Sequence, residues 1–410
     1  PAGSLISLPL DKLLANQYQG IHTLFKPTKQ TSIQRVAVVK NDVYVTTLDN
    51  VRGRLTRYAW DAKAASWTST PIQLPKNGAV GLSAGTAFTD DIYIRFTDFV
   101  TPDQLFELRG QAAAPQLIKT LPTRFDAAGV TVSQFQATSA DGVQVPYFLV
   151  TPKGYQADGT QPTLLYGYGG FEVSMTPQYM ATFGKLWVER GGAFVIANIR
   201  GGGEFGPKWH RAAKKEKRQR AFDDFLAVAE HLISAKVTTP SRLGIMGGSN
   251  GGLLMGASFT QRPELFGAVV CQVPLLDMIR YPKLLAGASW MDEYGDPSKP
   301  EMRAAILKYS PYHNLKEDKT YPPVFFITST KDDRVHPAHA RKMAAKMASL
   351  SKPFWYFENI EGGHSASANR NQRAQRTALE FVYLWTQLGR GAASAGKAAE
   401  TSTQAPVPSK

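Results

Sequence analysis

The residues with the clearest chemical meaning lie in Arg242-Leu-Gly-Ile-Met-Gly-Gly-Ser-Asn-Gly-Gly-Leu-Leu-Met, where an apolar strand runs into Gly247-Gly248-Ser249-Asn250-Gly251 and a helical pattern follows. Glycines two before and two after a serine permit the tight, strained turn that lifts a hydroxyl above a sheet, with a helix N-terminus behind it. Ser249 is therefore a candidate nucleophile. The glycine spacing alone arises by chance; the flanking strand and helix give it weight. A serine hydroxyl needs a base to take its proton, and the base needs a partner that fixes its tautomer and stabilises the imidazolium.

In this setting the chain order is serine, acid, histidine, with the last two on loops after later strands. His364, in Glu361-Gly-Gly-His-Ser, follows the strand pattern Phe354 to Phe357 and precedes the last helix. His313, His336 and His339 come before that strand, and His22, His210 and His231 before the serine, so these read as surface or packing residues. For the acid, Val324-Phe-Phe-Ile-Thr-Ser-Thr-Lys-Asp-Asp runs from a buried strand into Asp332 and Asp333, and spacing does not choose between them. An acyl-transfer site also needs donors aimed at the developing oxyanion. The backbone N–H of Asn250 is one. A second is available from Leu164-Leu-Tyr-Gly-Tyr-Gly-Gly-Phe, a strand ending in a glycine-rich loop, as a backbone amide or as the hydroxyl of Tyr166 or Tyr168.

No cofactor or metal site competes with this reading. Asn198-Ile-Arg-Gly-Gly-Gly-Glu-Phe follows a strand, but it lacks the Gly-x-Gly-x-x-Gly spacing and a Lys-Ser or Lys-Thr pair, and reads as a structural loop. His336 and His339 have no third ligand at metal spacing.

Loops of this kind need a parallel α/β sheet to hold them. From about Val130 apolar strands alternate with amphipathic helices: Leu164 to Tyr166, Phe194 to Asn198, Arg242 to Met246, Ala268 to Val273, Val324 to Thr328 and Phe354 to Phe357 read as strands. Phe222, Phe225, Leu226, Ala229 and Ile233 recur at helical spacing, as do Phe381, Val382, Trp385 and Leu388. The first 125 or so residues are instead all-β. Asp42-Val-Tyr-Val and Asp91-Ile-Tyr-Ile lie 49 residues apart, and Val36 to Val39, Val43 to Leu48, Arg54 to Trp60 and Trp67 to Leu74 give about four strands per unit. That period fits β-propeller blades, with a β-sandwich as the alternative. The expected organisation is a partial propeller of about two blades and a remnant (1–125), an α/β-hydrolase domain (126–389) and a disordered tail rich in Ala, Ser, Thr, Lys and Pro (390–410).

Composition bounds the class. At 410 residues, 43% hydrophobic and 20% charged, the chain is long enough for two domains and is neither wholly disordered nor collagen-like. No apolar run spans a membrane, and Pro-Ala-Gly-Ser-Leu-Ile has no basic leader, so the reading is a soluble protein, cytoplasmic or periplasmic, that begins inside a longer one. Net charge is +14, but the densest basic run, Arg211 to Arg220, lacks the interleaved aromatics of a nucleic-acid platform and reads as a solvated or interdomain face. The single cysteine, Cys271, sits in an apolar strand and is expected to be buried.

With these residues assembled, the chain resembles the prolyl oligopeptidase family of serine peptidases. The resemblance runs through Tyr166-Gly-Tyr-Gly-Gly-Phe171, Asn198-Ile-Arg-Gly-Gly-Gly-Glu-Phe, Phe222-Asp-Asp-Phe, Gly247-Gly-Ser-Asn-Gly-Gly252, Asp332-Asp-Arg-Val335 and Gly362-Gly-His364, and is loose before Val130. It implies Ser249 as nucleophile, His364 as base and Asp332 rather than Asp333 as its partner. It further implies Tyr168 and Asn250 as the oxyanion hole, Phe171, Trp290 and Tyr294 as a proline-receiving pocket, and Arg334, with Val335 beside it, as substrate-binding. A flat indole and a phenyl ring suit the apolar pyrrolidine, and no obvious carboxylate there awaits a basic side chain. Asn250 differs from the residue usual after the serine in oligopeptidase B-like enzymes (Ala), dipeptidyl peptidases (Tyr) and acylaminoacyl peptidases (His).

The implied activity is endoproteolysis of short peptides on the carboxyl side of proline, through an acyl-enzyme and without a cofactor. Proline-containing peptides are the expected partners, with no nucleic acid and no membrane; oligomeric state is not assigned. The chain departs from the family pattern in lacking most of a propeller, the part that restricts relatives to short peptides. The alternatives are a same-family peptidase with another first-pocket preference, an esterase, or an interaction module with an inactive hydrolase domain.

Overall fold

Short strands separated by turn residues build two sequential antiparallel sheets early in the chain. The computed structural model describes residues 2–389 apart from Ala84, Gln111 and Ala113; the tail expected to be disordered, 390–410, lies outside the described residues. Contacts divide the chain into two units: Pro1–Gly154, Gly167–Val228 and Trp290–Ile306 form one, and Tyr155–Tyr166, Ala229–Ser289 and Leu307–Lys410 the other.

In the first unit one sheet consists of Thr31–Val38, Asp42–Asp49, Arg52–Asp61 and Ser66–Pro71, the next of Ala79–Ser83, Ile92–Thr97, Gln104–Leu108 and Gln116–Thr120. Asn50 and Val51 join the second and third strands of the first sheet with φ of 48° and 69°, the paired left-handed geometry of a two-residue hairpin turn. The two sheets share an apolar core that includes Tyr44, Leu55, Leu82, Ile92, Ile94 and Phe96. The repeat seen in the sequence has a structural counterpart: Asn41 and Asp90, 49 residues apart, hold each other through the Asn41 backbone N–H at 2.7 Å and its side-chain amide at 2.5 Å. A two-stranded ribbon, Leu5–Ser7 with His22–Phe25, precedes them. These are propeller-type antiparallel sheets.

The same unit carries Thr131–Thr138, Gln144–Thr151 and Ala193–Ala197, which pair antiparallel. The uniformly parallel pattern expected from Val130 onward therefore begins later. The loop after Ala193–Ala197 is structural, as its sequence suggested. Arg200, 3% exposed, donates to Asp224 and Asp141, and Ser139 Oγ donates to Asp224 at 2.6 Å. Glu204, 1% exposed, accepts from the backbone of Met175 at 2.8 Å through Oε1, while Oε2 is buried with no hydrogen-bond partner.

Burial pushes the Glu204 carboxyl from 4.5 up to about 7, against the opposing pull of the Met175 amide and Asn198. A raised carboxyl pKa means that the folded chain keeps a proton the unfolded chain has lost. The stabilisation is complete below the unfolded value near 4.5 and disappears as pH rises through about 7. Urea midpoints of the wild type are thus expected to fall relative to those of Glu204→Gln across that window; a difference that stays flat with pH contradicts the assignment.

In the second unit Thr163–Tyr166, Leu243–Gly248, Ala268–Gln272, Val324–Ser329 and Phe354–Asn359 pair in chain order, all parallel. The middle strands are buried almost throughout, which is why they read as unbroken apolar runs. Asn250–Gln261 packs on Leu243–Gly248 and Ala268–Gln272, and Ala338–Ser349 on the last two strands. Arg370–Leu388 starts at Asn369, whose side chain accepts from the Gln372 N–H. Its buried stripe contains Phe381, Leu384 and Leu388, whereas Val382, expected inside, is 64% exposed. Cys271 is buried, and burial pushes its thiol pKa up.

Candidate active site

Ser249 occupies the turn between strand Leu243–Gly248 and helix Asn250–Gln261 with φ 60° and ψ −119°. A non-glycine residue there is strained and persists only because its surroundings hold it. Its backbone N–H donates to Gln272 O at 2.9 Å, and its carbonyl accepts from Leu253 at 3.1 Å. The glycines are required by close approach: a Cβ on Gly247 would stand 2.6 Å from Gly251 O, and one on Gly252 2.6 Å from Pro274 Cβ. Asn250 is wholly buried at the first position of the helix.

Asp332 and His364 arrive from the loops after Val324–Ser329 and Phe354–Asn359. His364 Nδ1 lies 3.0 and 2.8 Å from the two carboxylate oxygens of Asp332, which is 4% exposed. The N–H groups of Arg334 and Val335 also donate to Asp332 Oδ1, each at 2.9 Å. Nδ1 therefore carries the imidazole proton, and Nε2, buried without a hydrogen-bond partner, offers its lone pair. The Ser249 hydroxyl does not donate to that nitrogen in this structure; catalytic hydrogen bonds that are long in a free enzyme tighten when substrate binds. Asp333, the neighbouring acid, is exposed and accepts from the His364 backbone N–H at 3.3 Å. One acid thus meets the ring and the other the main chain. Arg334 is exposed, and Val335 is buried. His339, read as a packing residue, is buried and accepts from the N–H groups of Leu276 and Asp277; burial lowers its pKa to about 4.

These residues all belong to the second unit. The first unit holds the other predicted residues. Tyr168 is half-buried in the glycine-rich loop. Phe171 and Tyr294 meet edge to face, with ring centroids 5.7 Å apart, and Trp290 is half-buried at the start of Met291–Tyr294. The basic run is not simply a solvated face: Arg218 is fully buried, its Nη1 3.1 Å from Glu293 Oε1, while Lys214 and Lys215 reach Asp292 at 2.6 and 3.3 Å. A charged run looks solvated in one dimension, and the acid that pairs with it lies 75 residues away. Glu293 was not singled out in the sequence, although it lies inside the aromatic segment that was.

A parallel sheet bearing a strained serine turn, with an acid and a histidine on later loops, defines the α/β-hydrolase class, preceded here by propeller-type sheets. Within that class the chain belongs to the prolyl oligopeptidase family: the model of that family matches residues 174–391, and that of the family's N-terminal β-propeller domain matches residues 1–120. An uncharacterized peptidase of Sinorhizobium fredii is 48% identical over 387 residues, which cover 94% of this chain and 53% of the relative. A prolyl endopeptidase of Elizabethkingia miricola is 36% identical over 323 residues, covering 78% and 46%. Among solved structures, a post-proline cleaving enzyme from Rickettsia typhi superposes with a TM-score of 0.89 at 38% identity, covering 95% of this chain and 56% of that one. The chain spans about half the length of the relatives it matches. Among the described residues, no helix is long and apolar enough to cross a membrane, and no cluster of His, Cys, Asp and Glu is arranged to hold a metal.

Proposed function

We propose that this chain carries the catalytic machinery of a serine endopeptidase that cuts short peptides on the carboxyl side of proline. The observation that carries the reading is the His364 imidazole, bonded through Nδ1 to a buried carboxylate and free at Nε2, in the same unit as a serine on a strained turn. Ser249 Oγ attacks the prolyl carbonyl while His364 Nε2 takes the proton. The Asn250 N–H and the Tyr168 hydroxyl receive the oxyanion. As the C–N bond breaks, His364 returns the proton to the leaving amine, and water then repeats the sequence to free the acyl group. Phe171, Trp290 and Tyr294 receive the pyrrolidine, and Arg334, beside Val335, binds a substrate backbone carbonyl. Relatives named for prolyl cleavage support the first-pocket preference.

The test compares hydrolysis of blocked Gly-Pro, Gly-Arg and Gly-Phe reporter amides and a short acyl ester. Preferential Gly-Pro cleavage is expected. Preference for arginine or phenylalanine contradicts the proline assignment, turnover of the ester alone indicates an esterase, and failure of a fluorophosphonate to label the chain indicates an inert module.

A further inference from the structure

Phe171 and Glu172 both have left-handed backbones, with φ of 55° and 57°. Two consecutive non-glycine residues in that region are strained and need external anchors. The anchor of Phe171 is a buried carboxylate: Glu293, 4% exposed, accepts from the Phe171 N–H at 3.0 Å through Oε1. The same oxygen lies 3.1 Å from Arg218 Nη1, and Oε2 lies 2.7 Å from His210 Nε2. The Arg218 guanidinium in turn lies 5.4 Å from the centre of the Tyr294 ring. One carboxylate therefore ties down the backbone of one aromatic wall and the cation that packs against the other. Burial pushes the Glu293 pKa up, but His210, Arg218 and the Phe171 amide together hold it below the ordinary range, so the group is an anion.

We propose that Glu293 is a positioning residue, which sets selectivity for the residue on the acyl side of the cut bond by fixing the Phe171 and Tyr294 rings. This rests on the reading of those rings as the first pocket. Glu293 touches no reacting atom in this account; its effect passes through the Phe171 backbone and Arg218.

Selectivity is read as the ratio of kcat/KM on blocked Gly-Pro and Gly-Ala amides. Because Glu293→Ala removes the carboxylate that faces the buried Arg218 guanidinium, that single variant mixes a folding defect with any change in selectivity. The double variant Glu293→Ala/Arg218→Met removes that cation. Glu293→Gln/Arg218→Met additionally restores an oxygen to accept from the Phe171 N–H. The ratio is expected to fall about ten-fold in the first double variant, the scale set by a disturbed apolar pocket, and to recover in the second. Fluorophosphonate labelling of Ser249, which does not need a filled first pocket, is expected to change little.

An unchanged ratio in the first double variant, or a labelling rate that falls in step with it, overturns the proposal. A wild type that favours another residue defeats the proline assignment, but the ratio taken for that residue against alanine still decides the role of Glu293. Should the wild type cut none of the amides, deuterium exchange at the Phe171 amide decides it. Protection is expected to be lost in Glu293→Ala/Arg218→Met and kept in Glu293→Gln/Arg218→Met, and equal protection in both overturns the proposal.

Discussion

Ser249→Ala is expected to lower kcat on the Gly-Pro amide by about 10⁶-fold, and His364→Ala by a similar factor. The alanine at 249 has no oxygen to attack with, and the alanine at 364 has no base to make that oxygen nucleophilic. Because the two groups act in one step, the double variant should lose little more than either single one. Residual turnover then comes from the oxyanion donors and substrate binding alone. Initial rates on purified variants, with circular dichroism to verify folding, check this. Losses that simply multiply in the double variant would mean that the two side chains act in separate steps.

The second large effect separates adjacent acids. Asp332→Asn is expected to reduce kcat by about 10⁴-fold, whereas Asp333→Asn should have a far smaller effect. Asp332 meets His364 Nδ1 through both oxygens and is itself fixed by the amides of Arg334 and Val335. An asparagine there can turn an N–H toward Nδ1, which moves the imidazole proton to Nε2 and removes the lone pair that must accept from serine. Asp333 accepts from the His364 main chain, at 3.3 Å, from an exposed position. Parallel kcat measurements on the two variants suffice, and equal losses would contradict the distinction.

Much of this was legible in the sequence because the demands are local. The serine turn needs glycines wherever backbone passes close to backbone, as at Gly247 and Gly252, and that requirement is written directly in the residue types. Strands buried on both faces must be apolar runs, so the middle parallel strands, Leu243–Gly248, Ala268–Gln272 and Val324–Ser329, are legible to within a residue or two. The choice between Asp332 and Asp333 was not local. Spacing leaves the two adjacent loop acids equivalent; the family resemblance picks Asp332, and the fold supplies the physical reason, one acid meeting a ring and the other an amide.

Strand direction was likewise hidden. Nothing in the composition of Thr131–Thr138 or Gln144–Thr151 says antiparallel; their pairing does. Arg218 and Glu293 were obscured for a related reason, since each looks like a surface residue until its distant partner is beside it. On the last helix, apolar spacing admitted Val382, but the packed stripe runs through Leu384 instead.

The central claim concerns one covalent bond, and its most direct measurement is the location of the acyl group. A blocked Gly-Pro activated ester, mixed with the full chain and quenched in acid during the first turnover, should leave the peptidyl group on a single peptide containing Ser249, located by mass spectrometry. The same experiment on His364→Ala should leave that peptide unmodified. Acylation at another residue, or product release with no acylated intermediate at any quench time while the wild type turns over, would contradict the account.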